Sequence, residues 1–192
     1  MRFRARAFHA REIQEFLRLV QTSSFSYQEV GATLSGEMPS DYNIDRNRQL
    51  LGRGCAVWEK AKEALRQSAM FDMPWIRLHR ADKWIATGTV VAVEVKHFGF
   101  YSLNACRIIG LVDSSPGIER FGFSYGTLWQ HAERGEERFC VEWNREHDFV
   151  TYDLLAFSQP RMLGARLAYP LSRNLQRRFA QESKLSMLRA CS

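Results

Sequence analysis

The sequence predicts an α+β protein in which a strongly curved antiparallel sheet of about six or seven strands wraps a long C-terminal helix. Two observations carry this expectation. Between residues 72 and 158 six runs rich in β-branched and aromatic residues follow one another, divided only by short turn clusters. Such short connections favour an antiparallel meander over βαβ units. Beyond them Leu171, Leu175 and Phe179 recur every four residues, followed by Leu185 and Leu188. A helix of about 20 residues at 1.5 Å each spans roughly 30 Å, enough to cross a whole sheet.

Taken in order, residues 10–20 read as a short helix with Ile13, Phe16, Leu17 and Val20 on one face. Ser23 and Ser24 end it, and FSYQEVGAT (25–33) reads as a strand. The polar segment 34–50, with Gly36 and Pro39, reads as a long loop. GRGCAVWEKAKEALRQS (52–68) is a helix presenting Val57, Ala61, Ala64, Leu65 and Ser68 on one side. The strands are MPWIRLHR, WIATGTVVAVEVK, FYSLNACRIIGLVD, ERFGFSYGTLWQ, EERFCVEWN and DFVTYDLLAF. The turn clusters HFG, SSPG, HAERG and REHD separate them. Pro170 suits the first turn of the closing helix, and Arg173, Arg177, Arg178, Lys184 and Arg189 fall largely off its apolar stripe. A twisted sheet of this size has a concave face that needs a cover, and the last helix supplies it. That is a helix-grip arrangement, whose usual by-product is a cavity between sheet and helix.

Composition narrows the function classes. The 192 residues fit one domain, 1–192, with 1–24 as an N-terminal helical extension. A content of 45% hydrophobic and 25% charged residues suits a soluble globular protein. No run approaches the roughly 18–20 apolar residues of a membrane span. The start, MRFRARAFHAREIQEFL, lacks the continuous apolar stretch of a secretory signal, and Glu12 and Glu15 count against a transit peptide. Cys55, Cys106, Cys140 and Cys191 form no CxxC pair, which suits reduced thiols in a cytoplasmic protein. No clustered Cys and His ligands announce a zinc site, so neither metal nor cofactor is expected. LGRG (51–54) lacks the GK[ST] ending of a phosphate loop. The net charge of +6 gathers at the ends, in Arg2, Arg4 and Arg6 and in Arg161, Arg166, Arg173, Arg177 and Arg178. Those arginines suit nucleic acid or an acidic partner, but a solvated helix face explains them equally well.

The chemistry concentrates in 121–139, FGFSYGTLWQHAERGEERF. Alternation puts Phe121, Phe123, Tyr125, Thr127 and Trp129 on one face of the first strand. On the return strand Glu137, Phe139, Val141 and Trp143 share a face, with Glu136 and Arg138 looking the other way. The aromatic faces are expected to be the concave ones, which turns Glu137 inward. A buried carboxylate needs a partner, and Arg107, Tyr125, Tyr152 and His131 are the candidates. With a raised pKa Glu137 is a candidate acid or base; the alternative is a structural ion pair at the rim. His131, at a turn, is either a ligand contact or a plain turn residue. Gly126 interrupts a strand, which marks a bulge or a close backbone approach. Trp58, Trp75 and Trp84 read as core or rim packing, with Trp75 counted among the ligand-lining residues.

GFSYGTLWQHAERGEERF, with LGRG, Pro74–Trp75, CRIIGLVD (106–113) and SQP (158–160), resembles the bacterial and plant proteins of the domain of unknown function 1990 family over about residues 25–190. That family is similar in turn to the START and birch-pollen-allergen superfamily. The resemblance implies a helix-grip fold, and many such relatives hold apolar ligands or catalyse cyclisations. It brings no catalytic role with it. Two departures stand out: Gln130, His131 and Ala132 occupy a Gly-His-Pro position, and Ser158, Gln159 and Pro160 a Ser-Arg-Pro position, with Arg161 following. The second puts the role of that arginine in question.

The leading expectation is a protein binding a small, largely apolar molecule under the C-terminal helix, with contacts from Tyr125, Thr127, His131, Glu137, Arg107, Tyr152 and Trp75. The alternative is an enzyme using Glu137 or His131 for acid/base chemistry, such as cyclisation or hydrolysis, on a hydrophobic metabolite. A third is binding of nucleic acid or an acidic partner through the arginine-rich ends.

Overall fold

The computed structural model describes residues 1–80, 85–97, 99–161 and 169–192. Its strands are β1 (Arg2–Arg4), β2 (Asn43–Arg53), β3 (Ile76–Arg80), β4 (Val90–His97), β5 (Phe100–Leu111), β6 (Ile118–Thr127), β7 (Glu133–Asn144) and β8 (Phe149–Pro160). They form one antiparallel sheet in the order β2-β8-β7-β6-β5-β4-β3, with β1 paired to β5 off that path. The helices are α1 (Ala10–Val20), α2 (Ala32–Ser35), α3 (Gly54–Arg66) and α4 (Tyr169–Cys191), with a 3-10 turn at Ala69–Phe71. Trp84, Arg166 and the start of the strand expected at 84–96 lie outside the described residues.

The concave face carries the main core. Phe123, Tyr125, Phe139, Val141, Trp143, Tyr152 and Leu154 point into it. They meet Trp58, Ala61 and Leu65 of α3, Met70 and Phe71 of the 3-10 turn, and Phe179, Ala180, Met187 and Cys191 of α4. The convex face is also clad. There α1 lays Phe16, Leu17 and Val20 on Val90, Ala92, Leu103 and Ala105. Tyr27 and Ala32 cover Phe157.

Three expectations fail here. Residues 25–33 are not a strand: Phe25 makes an isolated bridge to Leu128, and the chain then turns at Gly31 (φ 94°) into α2. Its amides bind a buried carboxylate on the sheet instead of a neighbouring strand, as described below. The second failure is the loop expected over 34–50, where β2 pairs with β8 from Asn43↔Ser158 to Arg53↔Phe149. Its inward positions Asn43, Asp45, Asn47 and Gln49 are polar, so no apolar alternation announces it. The third concerns α4, where Leu185 is 52% exposed and the buried stripe is Phe179, Ala180, Ser183, Met187 and Cys191. Small residues on that stripe let the helix approach the sheet closely.

Candidate functional site

Along β7 the inward residues change from Trp143, Val141 and Phe139 to Glu137, Gly135 and Glu133. Opposite them on β8, Val150, Tyr152 and Leu154 give way to Ala156 and Ser158. Large apolar side chains thus end abruptly while α4 continues overhead. The space left is a cavity of about 890 Å³. Leu171, Leu175, Gln176 and Ala180 of α4 form one wall; Trp75, Val93 and Asn104 belong to the other. Gly135 sits so tightly against β8 that a Cβ would lie 2.0 Å from the Phe157 carbonyl oxygen. Gly126 owes its lack of a side chain to a similar approach, by the Tyr27 hydroxyl, and the bulge falls instead in β5 between Ile108 and Gly110.

The cavity floor is the pair Tyr125–Glu137. The tyrosine hydroxyl donates to Glu137 Oε2 at 2.7 Å, and its ring packs 5.3 Å from that of Phe139. Burial pushes the Glu137 carboxyl up to about 7; the Tyr125 bond pulls the other way, and the charges of Glu133 and Asp45 add to the rise. Burial, with Glu137 beside it, holds the Tyr125 phenol well above its ordinary range. Glu133 is also raised by burial, although Gln176 Nε2 (2.7 Å) and Ser172 Oγ (3.2 Å) donate to it. Asp45, by contrast, is met by both terminal nitrogens of Arg173, at 2.6 and 2.7 Å. His131 Nδ1 sits 3.0 Å from the backbone nitrogen and 3.1 Å from the carbonyl oxygen of Glu133. Burial drives its imidazole down to about 4, so it is neutral at pH 7.

Four of the sequence-chosen residues therefore meet at one place: Tyr125, Thr127, His131 and Glu137 all line the cavity. The Thr127 hydroxyl is engaged by Ser26 Oγ at 2.6 Å and by the Gly135 amide at 3.0 Å. Trp75 stands on the wall, its indole N–H donating to Glu182 at 2.7 Å under the Arg178 guanidinium. Two do not belong. Arg107 cannot pair with Glu137, because its neighbours Cys106 and Ile108 take the concave side and turn it to the convex one. There it donates to the Gln21 carbonyl at 2.8 Å and covers Phe25. Tyr152 lies in the packed core, bound to Ser183 Oγ at 2.8 Å. Trp129, expected with the aromatic row, is 56% exposed beyond the strand end.

Glu136 does face away from Glu137, but it is not solvated. It accepts hydrogen bonds from the Tyr27 hydroxyl (2.9 Å), the Gly31 and Thr33 amides (2.8 Å each) and the Thr33 hydroxyl. Gln159 also lies off the cavity, accepting from Arg134 Nε at 2.8 Å and donating to the Asp41 carbonyl at 2.8 Å. An arginine at that position would thus be a convex-face residue, and Arg161 instead covers Trp129 at 4.7 Å. Sequence reasoning missed Glu133, Gln176 and the Asp45–Arg173 pair. Glu133 was within reach of the alternation that found Glu137, four residues on, had the strand been started earlier than 136.

Among the described residues no three His, Cys, Asp or Glu side chains group as a metal site, and no helix is long and apolar enough to cross a membrane. The four cysteines are free. Several arginines near the two ends have local partners: Arg4 with Glu12, Arg173 with Asp45 and Arg178 with Glu182.

Sheet, gripping helix and the cavity between them define a helix-grip α+β protein. Similar architecture occurs in a hypothetical protein from Helicobacter pylori (TM-score 0.56, 12% identity, 89% of this chain and 98% of that one). It occurs too in the Zhui aromatase/cyclase of Streptomyces sp. R1128 (TM-score 0.55, 11% identity, 78% and 93%). At such identities the likeness is one of fold. Residues 26–185 match the family described as "Domain of unknown function (DUF1990)", and the chain belongs to it. A UPF0548 protein of Deinococcus radiodurans is 35% identical over 189 residues, 93% of each chain. One from Dictyostelium discoideum is 38% identical over 159 residues, 79% of this chain and 74% of its own.

Proposed function

We propose that this protein binds a small, largely apolar molecule in the cavity under the first turns of α4. The observation that carries the reading is the hollow itself. A volume of about 890 Å³ falls in the range of small-molecule sites, roughly 300–1,000 Å³, and its surface is mostly apolar, with polar and charged side chains interspersed. Protein interiors otherwise leave few voids larger than a water. Native mass spectrometry of the purified chain tests for a co-purifying molecule. A neutral apolar fluorophore such as Nile red tests the cavity directly. Its binding is expected to be lost in Ala156→Phe, which fills the cavity beside Glu137, with the far-ultraviolet dichroism retained. Unchanged binding by that variant defeats the proposal.

Glu137 favours a second reading, acid/base catalysis on the same ligand. A carboxyl whose pKa is pushed up to about 7 suits proton transfer near neutral pH. A Glu137→Gln variant that binds the co-purifying compound normally but no longer converts it supports catalysis; equal conversion removes Glu137 from any mechanism.

A further inference from the structure

Two adjacent glutamates of β7 are buried on opposite faces of the sheet, and the protein treats them differently. Glu136 has five donors within hydrogen-bond reach, from Tyr27, Gly31, Thr33 (amide and hydroxyl) and, more distantly, Ser124. That is how the hydrogen-bonding needs of a buried carboxyl are met away from water. Glu137 receives one donor, the Tyr125 hydroxyl on Oε2. Among the described residues no donor reaches its Oε1, and no arginine or lysine pairs with it. The charges that act on it, those of Glu133 and Asp45, are acidic. Arg173 is already forked onto Asp45, while Lys184 donates to Asn47 at 3.3 Å. The fold thus builds a complete cage for one carboxyl and leaves the other half-met at the floor of a large apolar hollow.

We propose that the cavity selects lipophilic amines, with the ligand's ammonium group seated on Glu137 Oε1 and its apolar body lying along Leu175 and Ala180 of α4. The inference rests on the cavity reading above and narrows it to a ligand class. An ammonium supplies the missing donors and the missing positive charge together, whereas a ligand carboxylate meets Glu137 and Glu133 as like charges. Arg46, Arg134, Arg177, Lys184 and the Met1 amino group, also at the cavity, argue for the opposite selectivity. Arg46 and Arg177 are solvent-exposed and Arg134, Lys184 and Met1 only half-buried, so salt and water screen them, and Arg134 is turned onto Gln159 at 2.8 Å. The same charges act more strongly in the low-dielectric floor, and there the carboxyls prevail.

The test titrates the full-length protein with phenylbutylamine, phenylbutanol and phenylbutanoate, which share one body and differ in the head group. Isothermal titration calorimetry at about pH 7.5 keeps the amine charged and the acid ionised. The amine is expected to bind at least about tenfold more tightly than the alcohol, and the acid most weakly. In Glu137→Gln the amine is expected to fall to the alcohol's affinity while the alcohol keeps its own. The ranking on the unaltered protein decides the matter even if that variant fails to fold. An acid or alcohol that binds as tightly as the amine overturns the ligand class and leaves the cavity reading standing. An amine preference that survives Glu137→Gln also overturns it. If none of the three binds, and Nile red does not either, both fall together.

Discussion

Along the single strand β7, Trp143, Val141 and Phe139 enter a packed core, whereas Glu137, Gly135 and Glu133, next in line, face a hollow. One helix, α4, covers both halves. Over the packed half it presents Ser183, Met187 and Cys191, all buried, while the buried Phe179 and Ala180 stand at the boundary and also line the cavity. Over the hollow half it presents Leu171 and Leu175 with Gln176 and Ser172, which bond to Glu133. The difference teaches that the cavity is encoded by what the strands lack there. Gly135 and Ala156 are too small to reach the helix, and Ser158 meets it only through a hydrogen bond accepted from Gln176 Nε2 at 3.0 Å, so stability is concentrated at one end and chemistry at the other.

The largest test of this division is Phe139→Ala against Leu175→Ala. Phe139 is fully buried among Phe71, Phe123, Tyr125 and Phe179. Its truncation is expected to cost about 3–5 kcal/mol in urea unfolding, the usual loss for an emptied aromatic core site. Leu175 already borders empty space, so its truncation is expected to cost about 1 kcal/mol, the area lost and little cavity term. Equal losses at the two positions mean that the hollow end is packed after all.

Next in size is a pair of opposed pH effects at the hollow end. Glu137 has an ordinary value of 4.5 raised to about 7, so between those values the folded state holds the extra proton and stability falls as pH rises. His131 goes from 6.5 down to about 4, so across that interval the unfolded state holds the extra proton and stability rises with pH. Each is worth about 3 kcal/mol in full, and over the shared window from 4.5 to 6.5 they oppose each other. Relative to the unaltered protein, Glu137→Gln is therefore expected to gain stability progressively from pH 4.5 to 7 and to keep the gain above it. His131→Asn is expected to gain it on acidification from 6.5 to 4. Difference curves from chemical unfolding at a series of pH values read both slopes, and a Glu137→Gln curve parallel to the parent's contradicts a desolvated carboxyl.

The packed end was the more legible half in sequence. Alternation in ERFGFSYGTLWQ and EERFCVEWN assigned Phe123, Tyr125, Phe139 and Val141 to the concave side, and the structure puts them there. It also turned Glu137 inward. The misses share one cause: polar residues placed by tertiary contacts have no periodic signature. Strand β2 is invisible because Asp45 and Asn47 face Arg173 and Lys184 of α4 rather than a greasy core. The reverse error, a strand over 25–33, came from Phe25 and Tyr27, aromatics that clothe the convex face around Glu136. Arg107 misled because its own strand was not anchored: only the burial of Cys106 and Ile108 decides which side is inside.

A smaller contrast uses the two inward tyrosines. Tyr152 ties the sheet to Ser183 of α4 within the packed end, and Tyr152→Phe strands a buried serine hydroxyl. That is expected to cost about 1–2 kcal/mol with no effect on Nile red binding. Tyr125→Phe removes the bond that holds Glu137 down, so the Glu137 titration is expected to move upward from about 7 and cavity binding to change. If Tyr152→Phe alters binding as much as Tyr125→Phe does, the boundary between the two ends is drawn in the wrong place.

The smallest effect is expected on the far side of the sheet. Arg107 bonds the Gln21 carbonyl at the C-terminal end of α1 and lies 5.6 Å from the Phe25 ring centroid. Arg107→Gln gives up one charge-assisted bond at a helix end, expected to be worth about 0.5–1 kcal/mol. It leaves Glu137, across the sheet, with the same neighbours. Ligand affinity and the Glu137 difference curve should therefore match the parent's in this variant. A downward-moved Glu137 titration on restoring the arginine would mean that the guanidinium reaches the cavity, and that the carboxyl on its floor already has the cation that its isolation from positive charge denies it.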